Sequence, residues 1–255
     1  LNMAPSQTLK WIEEGRNPSE ENVEIEGTEP YIVGGHTASG YWVDTNRQTT
    51  VKGLYAAGDV AGGCPQKYVT GAMVEGEIAV LHMIEELDRE SDPKADKDDE
   101  YFNSLFDKKI EEYNKILNNK NSLYGVEQLE EAMQKVMDSY AGGIGSHYQF
   151  NEKQLCLAED KIDRIEKLAK NAGAEDMHEL MFVYELRERL TVCKVLIAHL
   201  KARKETRWHC FDENLDYPDK DDNYLKYINS RMEDGKIVIL DRALVRRGEI
   251  YEHSN

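Results

Sequence analysis

The stretch GLYAAGDVAGG, residues 53–63, decides how this sequence is interpreted. Residues 54–57 are a short apolar run typical of a strand, and a Gly58-Asp59 pair follows directly. Gly58 has no Cβ, so backbone or a ligand can approach it closely, and Asp59 can accept hydrogen bonds from hydroxyl groups. The glycines at 62–63 are predicted to open a helix, whose free N–H groups suit phosphate or a developing anion. The stretch therefore predicts a nucleotide cofactor across the carboxyl end of a strand.

The composition excludes several classes of function. With 32 Lys and Arg against 49 Asp and Glu, the net charge is −17, which disfavours binding to nucleic acid or anionic membranes. The four cysteines are far apart and form no CxxC pair, so neither an iron–sulfur cluster nor a zinc site is expected, and a reduced, cytoplasmic protein is predicted. No apolar run approaches the roughly 20 residues that cross a bilayer, and no signal peptide is recognisable.

Glycine, charge and apolar spacing divide the chain into four predicted parts. Residues 1–90 are rich in glycine. They contain a predicted helix with a Ser6 cap and a Gly15 stop, two predicted strands over 41–57 with a turn at residues 44–48, and a long predicted helix from Tyr68 to Asp88. A charged linker is predicted at 91–99, a helical bundle at 100–204, and at 205–255 an irregular segment with one β-rich run, KIVILDRALV. The expected fold class is therefore α+β and helix-rich.

Four segments carry apolar residues at helical spacing. They cover residues 102–119, 123–141, 151–172 and 175–205. The last segment places five apolar residues on one face: Leu186, Leu190, Cys193, Ile197 and Leu200. Because the breaks between these segments are short, an antiparallel bundle is predicted.

Three segments resemble FAD-dependent oxidoreductases of the fumarate reductase and succinate dehydrogenase class. Residues 49–79, TTVKGLYAAGDVAGGCPQKYVTGAMVEGEIA, are similar to the second flavin-binding motif of that class. Residues 29–44, EPYIVGGHTASGYWVD, are similar to the segment that holds an active-site histidine, and residues 204–230 to the region after the helical domain. Within the class, the TEPYI, ETRW and late Asp-Asp segments most resemble the alpha subunits of adenylylsulfate reductases. The three segments occur in the family's order.

The resemblance implies an FAD site and an adjoining substrate site. Asp59 would bind a ribityl hydroxyl of FAD, and the helix that starts near Val69 would point its amino terminus at the flavin. The cofactor-binding set is Gly58, Asp59, Val69, Thr70, Gly71 and Ala72. On the substrate side, His36 would bind an anionic oxygen, with Arg207 and Lys67 as further catalytic candidates. Three of these positions have an ordinary alternative: a strand-ending turn for Gly58-Asp59, a surface or core position for His36, and for Arg207 an ion pair with Glu205, Asp212 or Asp216.

The departures from the family pattern are equally informative. No segment fits the GxGxxG motif that holds the FAD pyrophosphate, so the chain is expected to be the carboxyl-terminal portion of a larger flavoprotein and to lack FAD when alone. The expected partners are the missing amino-terminal half, an iron–sulfur electron-transfer subunit and a small anionic substrate. Fumarate reductases carry a substrate-binding arginine where this chain offers Lys67. Adenylylsulfate is therefore the first substrate candidate and fumarate or succinate the second, and a non-catalytic scaffold of the same fold stays open.

Overall fold

Helices dominate the part of the chain that the structure describes. The structure is a computed structural model, and it describes residues 5–22, 39–63, 68–89, 99–207 and 213–246. Its α-helices are α1 (Pro5–Glu13), α2 (Val69–Arg89), α3 (Asp99–Leu117), α4 (Val126–Tyr140), α5 (Glu152–Ala169) and α6 (Met177–Ala202). Its strands are β1 (Gln149–Phe150), β2 (Glu213–Asn214), β3 (Lys226–Glu233) and β4 (Lys236–Ala243). The chain divides into two compact units, Leu1–Thr37 and Ala38–Asn255.

Helix α1 is the described element of the first unit. It begins at Pro5, so Ser6, predicted to cap the helix, lies inside its first turn. Proline is favourable at a first helical position because its missing N–H has no partner there anyway. The predicted stop at Gly15 is confirmed: the helix ends at Glu13, and Gly15 adopts a left-handed φ of +67°, which glycine tolerates with little strain.

Residues 41–57, predicted as two strands, form isolated β-bridges instead. The bridged pairs are Tyr41–Ala61, Val43–Thr49 and Gln48–Tyr55. The predicted turn is present, because the Asp44 carboxylate accepts hydrogen bonds from the amides of Asn46 (2.8 Å) and Gln48 (2.9 Å). A second tight turn follows, in which the Leu54 amide donates to the Val51 carbonyl. Two turns so close together leave no run long enough for a regular ladder.

The chain crosses itself at two glycines on either side of these turns. The Tyr41 amide donates to the Val60 carbonyl and the Gly62 amide donates to the Tyr41 carbonyl, each at 2.8 Å. A Cβ at Gly40 would lie 2.6 Å from the Val60 carbonyl oxygen, and one at Gly62 would lie 2.8 Å from the Tyr41 carbonyl oxygen. Both positions therefore require glycine. The crossing ties residues 58–62 back onto the start of the segment.

Helices α3 to α6 form the predicted bundle. Helix α5 packs against α4 and α6, α4 also packs against α6, and α3 packs against α6. The connections between consecutive helices are short, which is typical of antiparallel neighbours. Helix α3 begins at Asp99, one residue before the predicted boundary. Two helix starts are capped by side chains: Asn151 accepts from the Gln154 amide, and Asp176 accepts from the amides of His178 and Glu179.

The core of the bundle lies on the face predicted for α6. Leu186 and Leu190 are 0% exposed, Ile197 is 1% and Leu200 is 9%, while Cys193 is half-buried. They pack with buried residues of α4 and α5, among them Leu155 and Ile162. Full burial of one such leucine or isoleucine side chain stabilises the fold by about 1.5–3 kcal/mol. This one apolar cluster therefore holds the helices together.

The carboxyl-terminal segment contains a hairpin where one β-rich run was predicted. Strand β4 is that run, and β3 pairs with it in antiparallel register from Lys226–Ala243 to Glu233–Lys236. The turn between them is Asp234-Gly235, both with positive φ, which matches the right-handed twist of the strands. The interpretation of residues 226–233 as irregular was wrong, because the Asp-Gly turn lets them pair with β4 along their whole length. A short parallel pair, β1 with β2, lies ahead of the hairpin.

The hairpin contacts both the bundle and the segment at residues 39–63. It packs against α6, where His199 Nε2 and Ser230 Oγ are 2.9 Å apart. The Arg242 guanidinium lies 4.6 Å from the centre of the Trp42 ring, and Tyr227 meets the same ring edge-on at 5.5 Å. Cation–π and edge-to-face contacts of this kind are each favourable by about 0.5–1.5 kcal/mol.

These elements confirm the predicted helix-rich α+β class. Residues 91–98 of the predicted charged linker lie outside the described residues, and Asp99 already belongs to α3. The predicted domain boundaries at residues 90 and 205 stay predictions.

Candidate functional site

The Gly58-Asp59 pair forms a tight turn packed against the start of α2. Gly58 opens a short 3-10 turn, Gly58–Val60, with a left-handed φ of +72°, and is buried. A Cβ at this position would meet the Ala72 Cβ at 3.0 Å. Glycine is therefore needed both for the backbone conformation and for the close approach of the helix. Asp59, the next residue, is exposed.

Helix α2 begins at Val69 rather than at the glycines 62–63, where the opening stretch alone predicted a helix start. Val69 and Thr70 are exposed, and the Ala72 amide donates to the Tyr68 carbonyl at 2.9 Å. The amides of the first turn lie ahead of this hydrogen bond and have no partner within the helix. The start of α2 is therefore a donor-rich surface with a partial positive charge.

The six predicted cofactor-binding residues thus lie on two adjoining elements. Gly58 and Asp59 form the turn, and Val69, Thr70, Gly71 and Ala72 form the first turn of α2. The contact of Gly58 with Ala72 joins the two elements. An exposed carboxylate can accept from hydroxyl groups, and a helix start can bind an anionic group. Gly63, close by in sequence, has a φ of +76°, and no atom of the described residues lies within 4 Å of a Cβ added there.

A buried ion pair supports this turn from behind. The Gly58 amide donates to Glu75 Oε2 at 3.2 Å, and Arg47 Nε lies 3.0 Å from Glu75 Oε1. Glu75 is only 4% exposed. Sequence analysis did not identify this pair. The available signal was a glutamate among small and apolar residues in AMVEGEIA, on the face of α2 that also carries Ala72 and Ala79.

A second set of polar contacts joins the middle of α2 to the same segment. Gln48 Nε2 donates to Tyr55 Oη at 3.1 Å, and Tyr55 Oη lies 2.9 Å from His82 Nδ1. On its other side, His82 Nε2 faces Glu86 Oε1 at 3.9 Å. Helix α2 is therefore held to residues 39–63 at two points, at Glu75 and at His82.

The outer face of α2 is apolar along its whole length. Val69, Met73, Val80, Ile84 and Leu87 are each more than 50% exposed, and their spacing places them on one side of the helix. Gly76 lies among them, with no atom within 4 Å of an added Cβ. We call this surface the apolar stripe of α2. Contiguous exposed apolar surfaces of this kind mark interaction sites.

Arg207 lies in a charge cluster at the end of the bundle. Its Nε donates to Glu205 Oε1 (2.9 Å) and one terminal nitrogen donates to Oε2 (2.8 Å). Glu205 is wholly buried as a side chain, and it also accepts from Arg203 (2.5 Å) and from the Asp221 amide (3.0 Å). The ion pair with Glu205, given above as the alternative to catalysis, is therefore present.

The protonation of this cluster follows from its contacts. Burial opposes ionisation of Glu205, but hydrogen bonds from Arg207, from the Asp221 amide and from Arg203 outweigh it and lower the pKa of the carboxyl. The hydrogen bond to Glu205 in turn raises the pKa of Arg207. Arg203 also donates to the carbonyls of Tyr224 and Lys226. The cluster thus links the end of α6 to the chain that enters the hairpin.

The other two substrate-side candidates, His36 and Lys67, lie outside the described residues. Their position relative to Asp59 and Arg207 stays a prediction. Among the residues that the structure describes, no group of three His, Cys, Asp or Glu side chains is placed to hold a metal ion. Within the same ranges, no helix has both the length and the apolar character of a membrane span.

The chain is similar to two curated proteins. It is 26% identical over 268 residues to the alpha subunit of adenylylsulfate reductase from Megalodesulfovibrio gigas, covering 92% of this chain and 40% of that protein. It is 29% identical over 197 residues to an uncharacterized FAD-dependent oxidoreductase of Methanocaldococcus jannaschii, covering 75% of this chain and 34% of the relative. The chain thus spans well under half the length of these relatives. No family model matches it.

Solved structures give the same result. Adenylylsulfate reductase from Archaeoglobus fulgidus superimposes with a TM-score of 0.70 at 25% identity, over 98% of this chain and 44% of the other. A quinol fumarate reductase of E. coli superimposes with a TM-score of 0.68 at 18% identity, over 85% of this chain and 38% of the other, which shows a shared fold. The resemblance predicted from the three sequence segments is confirmed. The chain is a homologue of the alpha subunit of adenylylsulfate reductase, with the fold of the fumarate reductase and succinate dehydrogenase flavoprotein subunits over the part that it spans.

Proposed function

We propose that the chain forms one wall of the FAD site of an oxidoreductase that acts on a small anionic substrate. The observation that carries this proposal is the packing of the Gly58-Asp59 turn against the first turn of α2. It brings an exposed carboxylate next to a donor-rich helix start, which suits a cofactor that has both hydroxyl groups and anionic groups. The homology to FAD-dependent proteins supports FAD as that cofactor.

The residues of this wall fit the proposed group. Asp59 would accept from a ribityl hydroxyl, and the amides at Val69, Thr70 and Gly71 would face an electron-rich edge of the flavin. The small residues Gly58 and Ala72 let the turn pack closely against the first turn of α2. When bound, FAD supplies the two-electron chemistry, while the protein orients the substrate and sets the charge around it.

On the substrate side we propose His36, Lys67 and Arg207. All three side chains can donate to a sulfate, phosphate or carboxylate oxygen. Glu205 accepts hydrogen bonds from Nε and from one terminal nitrogen of Arg207. A contact with the substrate would therefore be made by the other terminal nitrogen. Adenylylsulfate is the first substrate candidate, because of the homology to adenylylsulfate reductase. Fumarate or succinate is the second, since the fold is shared with quinol fumarate reductase.

The proposed partners are a GxGxxG-bearing amino-terminal half of the same flavoprotein and an iron–sulfur electron-transfer subunit. The apolar stripe of α2 supports a large apolar partner, because surfaces of this kind on soluble proteins are usually covered. The relatives, which are more than twice as long as the part aligned to this chain, have the additional chain length for such a half. We propose the cytoplasm as the site of action.

The proposal is tested on the complete flavoprotein, in which this chain is joined to its GxGxxG-bearing half. We expect about one FAD per chain, measured by flavin absorbance after release. Asp59→Ala should weaken FAD binding by about ten-fold or more, the effect of losing a hydrogen bond to a charged group. Asp107→Ala, at an exposed position on α3, serves as control. A wild-type protein that assembles but retains no flavin would refute the proposal and favour a non-catalytic scaffold.

A further inference from the structure

We propose that Glu75 is a positioning residue, which holds the Gly58 turn so that Asp59 faces the cofactor. The inference rests on the proposed function, because it assigns a role within the same FAD site. Glu75 itself lies behind the turn, is buried, and would not touch the cofactor. Its effect on FAD would pass through the Gly58 backbone.

The two carboxylate oxygens of Glu75 have different partners. Oε2 accepts from the Gly58 amide at 3.2 Å, a hydrogen bond to the residue that precedes Asp59. Oε1 forms an ion pair with Arg47 Nε at 3.0 Å. Arg47 has a left-handed φ of +69° and donates to the carbonyls of Asp44 and Thr45. One oxygen therefore fixes the turn that presents Asp59. The other balances the positive charge of Arg47, which lies in the turn that begins at Asp44.

Stability alone gives a weak reason for this arrangement. Burial of a charged pair is costly, and replacement of such a pair by apolar side chains of similar volume is often neutral or stabilising. An apolar residue at 75 would fill the same space but could not accept from the Gly58 amide. Gly58 is buried and has a left-handed φ. Loss of the acceptor for its amide would therefore free the turn to move. The hydrogen bond from Gly58 is thus the part of the arrangement that bears on Asp59.

Two kinds of variant in the complete flavoprotein separate this role from a purely structural one. Glu75→Gln keeps an acceptor for the Gly58 amide and removes the charge. The double variant Arg47→Met/Glu75→Met removes the acceptor and both charges while keeping the volume. Glu77→Gln, at an exposed position on the same helix, is the matched control. For each protein, FAD affinity is measured by titration of the apoprotein, and the melting temperature of the apoprotein is measured separately.

We expect Glu75→Gln to bind FAD within about three-fold of wild type despite a lower melting temperature. We expect the double variant to melt near the wild-type temperature but to bind FAD about ten- to a hundred-fold more weakly, as for loss of one hydrogen bond to a charged group. A double variant with wild-type FAD affinity would overturn the inference, and so would affinities that merely follow the melting temperatures. If Asp59→Ala loses FAD in the same experiment, the proposed function survives that result. If the wild-type flavoprotein binds no FAD, the proposed function is refuted, and the role of Glu75 is refuted with it.

Discussion

Replacement of Glu205 by alanine should cost more stability than any other single glutamate change at an ion pair in the described chain. The carboxylate accepts four hydrogen bonds, two from Arg207, one from Arg203 and one from the Asp221 amide. Its side chain is wholly buried. Glu205→Ala would leave two guanidinium groups and one amide without their shared acceptor.

The size of the effect follows from the exposure of the partners. Breaking a buried pair typically costs 3–5 kcal/mol, because an uncompensated charge stays buried. Arg203 and Arg207 are 34% and 24% exposed as side chains, so water can partly replace the lost carboxylate. We therefore expect the lower end, about 3 kcal/mol, which corresponds to roughly 6–12 °C in melting temperature for a protein of this size.

The assay is thermal unfolding followed by circular dichroism, with Glu131→Ala as control. Glu131 also forms an ion pair, with Lys135 at 2.7 Å, but it is 65% exposed, and exposed pairs contribute little. The reasoning is refuted if the two variants melt within a degree or two of each other.

The stability difference between wild type and Glu205→Ala should depend on pH. Because the folded protein lowers the pKa of Glu205 below its usual value of 4.5, the unfolded state binds the proton more readily. The contribution of the carboxyl is present in full above pH 4.5 and is lost as pH falls below it, towards the folded pKa. The difference in unfolding free energy between wild type and Glu205→Ala should be constant near neutral pH and shrink in acid. A difference that grows as pH falls would contradict the assignment.

Three further predictions concern the core, the stripe and the cofactor. Leu186→Ala should lower the free energy of unfolding by about 2–5 kcal/mol, measured by denaturant titration, whereas Val192→Ala, at a 65% exposed position on the same helix, should change it little. Val80→Glu, in the apolar stripe of α2, should leave the melting temperature of the chain nearly unchanged but weaken its association with the GxGxxG-bearing half, measured by calorimetry; unchanged association would exclude the stripe as the contact. The chain purified alone should be colourless because it contains only one wall of the proposed FAD site, and a yellow preparation with about one flavin per chain would contradict this.

The helical bundle could be predicted from the sequence because its signal, the spacing of apolar residues along each helix, is local. Apolar residues at helical spacing, such as Leu186 and Leu190, report directly on the buried face of α6. The Gly58-Asp59 turn was also predictable, since a glycine before an acidic residue at the end of an apolar run has few other interpretations. The opening stretch misplaced the start of this helix at the glycines 62–63, whereas the apolar spacing of residues 68–88 predicted it to within one residue.

The supporting interactions were less accessible because they depend on distance in space. The Arg47–Glu75 pair joins a turn to a helix. The small residues around Glu75 on α2 were a local signal that this glutamate is buried, but no local pattern indicates Arg47 as its partner. The strands predicted over residues 41–57 failed for a related reason. Their β-propensity was adequate, but the turns at Asp44 and Val51 divide the run into pieces too short for a ladder.

The contact of Arg242 with Trp42 has a consequence for the order in which the protein is made. Trp42 belongs to the segment that carries the Gly58 turn, and it leaves the ribosome long before the hairpin that covers it. Until β3 and β4 are synthesised, the Trp42 ring lacks the guanidinium of Arg242 and the edge of Tyr227. Helices α3 to α6 can form from local contacts in the meantime. The segment that carries the Gly58 turn therefore reaches its final packing only after the hairpin has been synthesised.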